Sequence, residues 1–230
     1  MTAYEEQIES IRRSAAFFGA IDEAAHDRPV PACPGWTVGD VVRHVAWQGP
    51  PGWIAMMNGA DGSAAVSSAV ADRAPVDSML IALADHLAAH APTDPCPTYF
   101  GAGDFGYWAA HGSVEVALHR CDVAAALGQS ADLAAGESRA GLVWSRAVLP
   151  SMASYTSADP IAPLAIIPTD ADPVQLGVGV PRASVSGPAA ALVFWLWGRD
   201  RGGVEVTGDA AVAATWSSIS GRSFQHEAIG

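Results

Sequence analysis

The spacing of apolar residues changes character once along this chain of 230 residues, and that change constrains the fold more than any other feature. Ahead of residue 150 they recur three and four apart. Tyr4, Ile8, Ile11, Ala15, Phe18 and Ile21 do so across residues 3–24, which predicts an amphipathic helix. Thr37 is a good N-cap, and Asp40 three residues later completes an imperfect capping box. The helix this starts carries Val38, Val41, Val42, Val45 and Ala46. Gly49, Pro50, Pro51 and Gly52 interrupt it, so a kink or break is expected just after His44. Further helices are expected over 76–91, closed by Pro92 and Pro95, over 107–127, stopping at Gly128, and over 136–153. Gly101 to Gly106 reads as a loop.

Beyond residue 150 the period shortens to two. Residues 163–168 and 174–180 read as strands, the second alternating Val174, Leu176, Val178 and Val180 with small or polar residues. Asp170 to Asp172 with Pro173 turns the chain between them into a hairpin. An apolar helix over 187–197 ends at Gly198, a short strand covers 204–207, and a last helix runs from Gly208 and Asp209 through Trp216, with a loose tail after Ser220. The fold class is therefore α+β: a four-helix domain over 1–150 followed by a small α+β domain over 151–230.

Composition removes several function classes. The net charge of −12 repels phosphate backbones, and no run of arginine or lysine offers a nucleic acid or an anionic membrane a landing site. The longest apolar run, 189–197, is too short to span a bilayer, and residues 1–14 lack the basic and apolar regions of a signal peptide. A soluble, cytoplasmic protein is expected. Cys33, Cys96 and Cys121 are odd in number, scattered and without a CxxC pair, so each reads as a small apolar residue.

The strongest chemical feature is Glu115 and His119, four apart on one helix. That spacing lets a carboxylate and an imidazole reach one ion. A third ligand must come from a facing helix, and His44, mid-helix among inward-packing valines, is the best candidate. Three protein ligands leave a fourth position open, as in catalytic zinc sites. The plain alternatives are a surface ion pair for Glu115 with His119 and a hydrogen-bonded core histidine for His44. His111, one turn before Glu115, is either a further ligand, a substrate contact or packing. Asp122 either accepts a hydrogen bond from His119 or pairs with Arg120 or Arg43. His86 and His90 share the four-residue spacing but lack a neighbouring acid, and read as a helix face. No serine-nucleophile or nucleotide-loop motif occurs. Trp36, Trp47 and Trp53 flank His44, where they either wall a pocket or fill the core.

These residues resemble a known family. The run from Pro34 through Gly35, Trp36 and Thr37 to His44 is similar to the first motif of the mycothiol-dependent maleylpyruvate isomerase family, a branch of the DinB-like metalloenzymes. Glu115 to Asp122 is similar to its second motif. Leu196 to Arg199 with Val204 to Asp209 resembles its C-terminal domain, itself similar to sterol-carrier domains. The resemblance implies a DinB-like four-helix bundle with zinc on His44, Glu115 and His119, activating mycothiol or another low-molecular-weight thiol. It also implies a carboxylate-binding, catalytic role for Arg199, whose plain alternative is a helix-end cation. Cys121 stands where the family usually has an aromatic residue. The expected function is metal-dependent isomerisation of, or thiol transfer to, a small electrophile. The alternatives are a non-catalytic small-ligand binding protein and a metal-dependent hydrolase.

Overall fold

A computed structural model describes residues 1–72, 74–156, 160–199 and 201–224. By backbone contacts the chain forms two compact units, Met1–Glu137 and Ser138–Gly230. The expected boundary near 150 falls inside a helix.

The N-terminal unit is helical, as its apolar spacing requires. Helix α1 (Ala3–Gly19) starts with a capping box between Thr2 and Glu5 and buries Ile8, Ile11, Ala15 and Phe18. A 3₁₀ turn (Glu23–Ala25) and a folded loop lead to α2 (Val38–Arg43), whose capping box between Thr37 and Asp40 is complete. A π-helical turn (His44–Gln48) separates α2 from α3 (Pro50–Met57), so the expected break begins at His44 itself. Then come α4 (Gly62–Asp72), α5 (Val76–Ala88), the hairpin β1 (Pro95–Thr98) and β2 (Gly101–Asp104), and α6 (Phe105–Ala126). Helix α1 packs on α5 and α6, the bent α2–α3 segment completes the four-helix bundle, and Leu80, Leu83, Leu87 and Trp108 fill the middle.

Two elements here depart from the sequence reading. Residues 101–106 hold β2 rather than only a loop, paired with a strand containing two prolines. Helix α4 was not expected either; its alanines and serines carry no sharp apolar stripe.

Helix α7 (Ala135–Thr156) leads into the C-terminal unit. There β3 (Leu164–Pro168), β4 (Val174–Leu176), β5 (Ala183–Gly187) and β6 (Glu205–Gly208) form one sheet in the order β4-β3-β5-β6. The expected hairpin is present, with Leu164 opposite Leu176. Its second strand is shorter than 174–180, because Gly177 and Gly179 take left-handed φ angles of 77° and 115° that end the ladder. Strand β5, which the sequence reading lacked, runs parallel to β3 and antiparallel to β6. Helices α8 (Ala189–Leu196) and α9 (Ala210–Phe224) pack on β3 and β5, burying Leu164, Ile166, Val185, Phe194 and Trp216. Helix α9 continues past Ser220 to Phe224; the rest of the expected loose tail lies outside the described residues. Among the described residues no helix is long and apolar enough to cross a membrane.

Candidate metal centre

Three local features bring the site together. The first is the loop ahead of α2. Its backbone closes on itself through Val30 N to Trp36 O (2.9 Å), Cys33 N to Val30 O (3.0 Å) and Trp36 N to Cys33 O (2.9 Å). Gly35, at φ 86°, allows the tight reversal. The second is the π-helical turn. Pro50 and Pro51 have no N–H to donate to the carbonyls one turn back, so the ordinary ladder is interrupted and the chain widens at His44. The third is α6, buried on nearly every side from Phe105 to Asp122, which sets Glu115 and His119 one turn apart in the interior.

The result is a convergence on one oxygen. His44 Nε2 lies 3.2 Å from Glu115 Oε1, and His119 Nε2 lies 3.3 Å from the same atom. Glu115 and His119 are 8% and 7% exposed. The donor atoms of all three side chains lie within 4.8 Å of one another. A tetrahedral zinc with bonds of about 2.0–2.1 Å sets its ligand atoms about 3.3–3.4 Å apart. The donor set suits such an ion, and both distances to Glu115 Oε1 match that spacing. Trp36 covers the pair, edge-on to His44 at 5.1 Å and stacked over His119 at 6.3 Å.

The electrostatics agree. Burial alone pushes the Glu115 carboxyl up, but hydrogen bonds from His119 and His44 outweigh it and hold the group well below its usual range. Burial pushes His119 down, but Asp122, Cys33 and Glu115 outweigh that and hold the imidazole well above its usual range.

His119 uses both ring nitrogens. Its Nδ1 lies 3.3 Å from Asp122 Oδ2, and Asp122 is fully buried. Of the two readings of Asp122, the structure shows the one toward His119. Arg43 goes instead to Asp40, and Arg120 binds Glu137 at 2.9 Å. A carboxylate on the second nitrogen fixes the tautomer that points Nε2 at an ion. Cys33 completes this layer, with Sγ 3.6 Å from Asp122 Oδ2 and 4.0 Å from His119 Nδ1. The sequence reading treated Cys33 as a small apolar residue. The available signal was its place in a proline- and glycine-rich loop, rather than on an apolar helix face.

Other candidates fall elsewhere. His111 is buried among Trp53 (4.5 Å), Tyr99 (5.6 Å) and Trp108 (5.7 Å), and lies outside the donor groups that converge among the described residues. Burial pushes its imidazole down to about 4, partly countered by Glu115. His90 stacks on Phe105 at 4.0 Å beside His86, with no third donor converging among the described residues. Trp47 Nε1 donates to Ala74 O, and Trp53 packs on His111, leaving Trp36 as the tryptophan over the imidazoles. Cys121 is fully buried. Arg199 follows α8 in the C-terminal unit, where its Nη1 donates to Trp197 O at 2.8 Å.

Known proteins agree with this architecture. The family described as mycothiol maleylpyruvate isomerase N-terminal domain matches residues 9–124. No curated protein matches the chain in sequence. The crystal structure of the mycothiol-dependent maleylpyruvate isomerase superposes with a TM-score of 0.62 at 18% identity, covering 91% of this chain and 97% of that one. A histidine-to-alanine mutant of that isomerase gives 0.62 at 17% identity over the same shares. At such identities the likeness concerns the fold. The family match spans half of the chain and includes every residue of the convergent site, and the chain belongs to the mycothiol maleylpyruvate isomerase N-terminal domain family.

Proposed function

We propose that this protein is a metal-dependent enzyme, working in the cytoplasm, that activates mycothiol or a related low-molecular-weight thiol to isomerise a small electrophile or to be joined to it through sulfur. The observation that carries this reading is the convergence of His44, Glu115 and His119 at zinc-like spacing within a family match named for mycothiol chemistry. Zinc bound there supplies a Lewis acid that lowers the pKa of a thiol. The protein's own groups do the rest. His44, Glu115 and His119 would hold the ion, Asp122 at His119 Nδ1 fixes the tautomer that turns Nε2 inward, and Trp36 packs over the imidazoles. The thiolate adds to the carbon β to a carbonyl, and the displaced electron pair moves to the carbonyl oxygen as an enolate, so the former double bond becomes single. After rotation the enolate re-forms the double bond and expels the thiolate, with the geometry changed. Arg199 is proposed to bind a carboxylate, its planar fork suiting that group.

The test is turnover of maleylpyruvate, followed by ultraviolet absorbance, with and without mycothiol. Turnover that needs both mycothiol and bound metal, and vanishes in His44→Ala, is expected. Metal-dependent turnover with no thiol present would favour a hydrolase instead. Unchanged ligand binding in His44→Ala with no turnover at all would favour a binding protein.

A further inference from the structure

The C-terminal unit holds a cleft of about 740 Å³ between the middle of α7 and the outer part of its sheet. Arg146 and Pro150 contribute from the helix, Ile167 and Val174 from β3 and β4, and Val178 from the glycine turn after β4. The volume lies within the roughly 300–1,000 Å³ typical of small-molecule sites. Val178 is 97% exposed and Ile167 45%, so the walls leave large apolar side chains in water.

The turn that carries Val178 is braced. Gln175 Nε2 donates to Gly177 O at 3.1 Å and to Gly179 O at 3.0 Å, so the wall has a set shape. The charge on the lining is the informative part. Arg146 is its one charged side chain, and among the described residues it has neither a hydrogen-bond nor an ion-pair partner. Arg12, Arg13, Arg43, Arg120 and Arg182 all sit on carboxylates. Acidic residues outnumber basic ones 24 to 12 in this chain, yet Arg146 lines a cleft with no acidic side chain in its lining. A guanidinium matches a carboxylate bidentately, and Arg146 is the one charged group in this lining to receive one.

We propose that this cleft binds a small organic monocarboxylate, its carboxylate on Arg146 and its apolar body against Ile167, Val174 and Val178. The lining includes none of the metal ligands, and the proposal does not depend on the enzymatic reading.

The test is titration of 1-naphthoate into the full-length, metal-loaded protein by calorimetry, with 1-naphthylmethanol as the neutral counterpart. Saturable one-to-one binding of naphthoate is expected. Arg146→Gln weakens it roughly tenfold or more, the scale of a charged hydrogen-bonded pair, and leaves naphthylmethanol unchanged. Val178→Asp weakens both. The two side chains are exposed, so circular dichroism and metal content should stay at parental values. No saturable binding, or binding indifferent to Arg146→Gln, overturns the proposal. So does naphthoate binding abolished by His119→Ala, which would move the carboxylate to the metal. A parent dimer made monomeric by Val178→Asp, seen by sedimentation, would also overturn it, since a second copy would then cover the cleft.

Discussion

Glu115 is a carboxylate held almost out of water between two imidazoles, a position that is costly unless the negative charge is used. His119 is the pivot, one nitrogen toward Glu115 and the other toward Asp122 and Cys33. Removing the charge on the Asp122 side should loosen the tautomer without emptying the site. Asp122→Asn is expected to weaken zinc binding about 10- to 100-fold, measured by competition with a chromogenic chelator, with the fold intact. Unchanged affinity would mean that Asp122 does not support the ion. At this scale much was legible. The four-residue spacing of Glu115 and His119 placed both on one helix face, and His44 stood out as a histidine among core valines. Cys33 was barely legible: its loop position was the one sign, its partners lie 86 and 89 residues away, and a thiol is by default read as a small apolar group.

Helix ends and breaks position these groups, and they were read with mixed success. The Thr37 cap and the break at Gly49 to Gly52 could be read because capping and proline chemistry act locally. Strands β1 and β5 could not, because their pairing comes from partners elsewhere in the chain rather than from their own residues. The π-helical turn follows from Pro50 and Pro51, so restoring their donors should straighten the segment and draw His44 away. Pro50→Ala with Pro51→Ala is expected to keep the helical fold by circular dichroism while lowering zinc affinity at least several-fold. Equal affinity would show that the break does not position His44. The buried carboxylate of Glu137 ties α1 and α6 to the start of α7, accepting from Ser10, Arg13, Arg120 and Ala134 N. Burial pushes this carboxyl up, but the Arg120 and Ser10 hydrogen bonds outweigh it and lower it. A carboxyl lowered in the fold adds stability above its unfolded value near 4.5, and loses it as pH falls through the folded value. Glu137→Gln is therefore expected to cost about 3–5 kcal/mol at pH 7, measured by urea unfolding, and to flatten the loss of stability below pH 4.5. An equally steep acid loss in the variant would assign that loss to other groups.

Over the whole molecule, the switch in apolar period marks a helical half and a mixed half, the order in which helices and then the four-stranded sheet follow along the chain. The point of division was less legible, because α7 has helical spacing throughout and nothing in its own sequence says which unit it serves. Arg199 belongs to the C-terminal unit, and its proposed role makes a separable prediction. Arg199→Ala should keep full metal content and lower kcat/KM for the thiol-dependent reaction about tenfold or more, the value of one charged hydrogen-bonded contact. An unchanged kcat/KM would leave it as a cation at a helix end. Elemental analysis of protein purified without chelator, beside a His119→Ala variant, decides whether His44, Glu115 and His119 hold a metal. About one equivalent of metal in the parent and little in the variant is the predicted result. A parent that stays metal-free even after zinc is added, or a variant that keeps its metal, would contradict it.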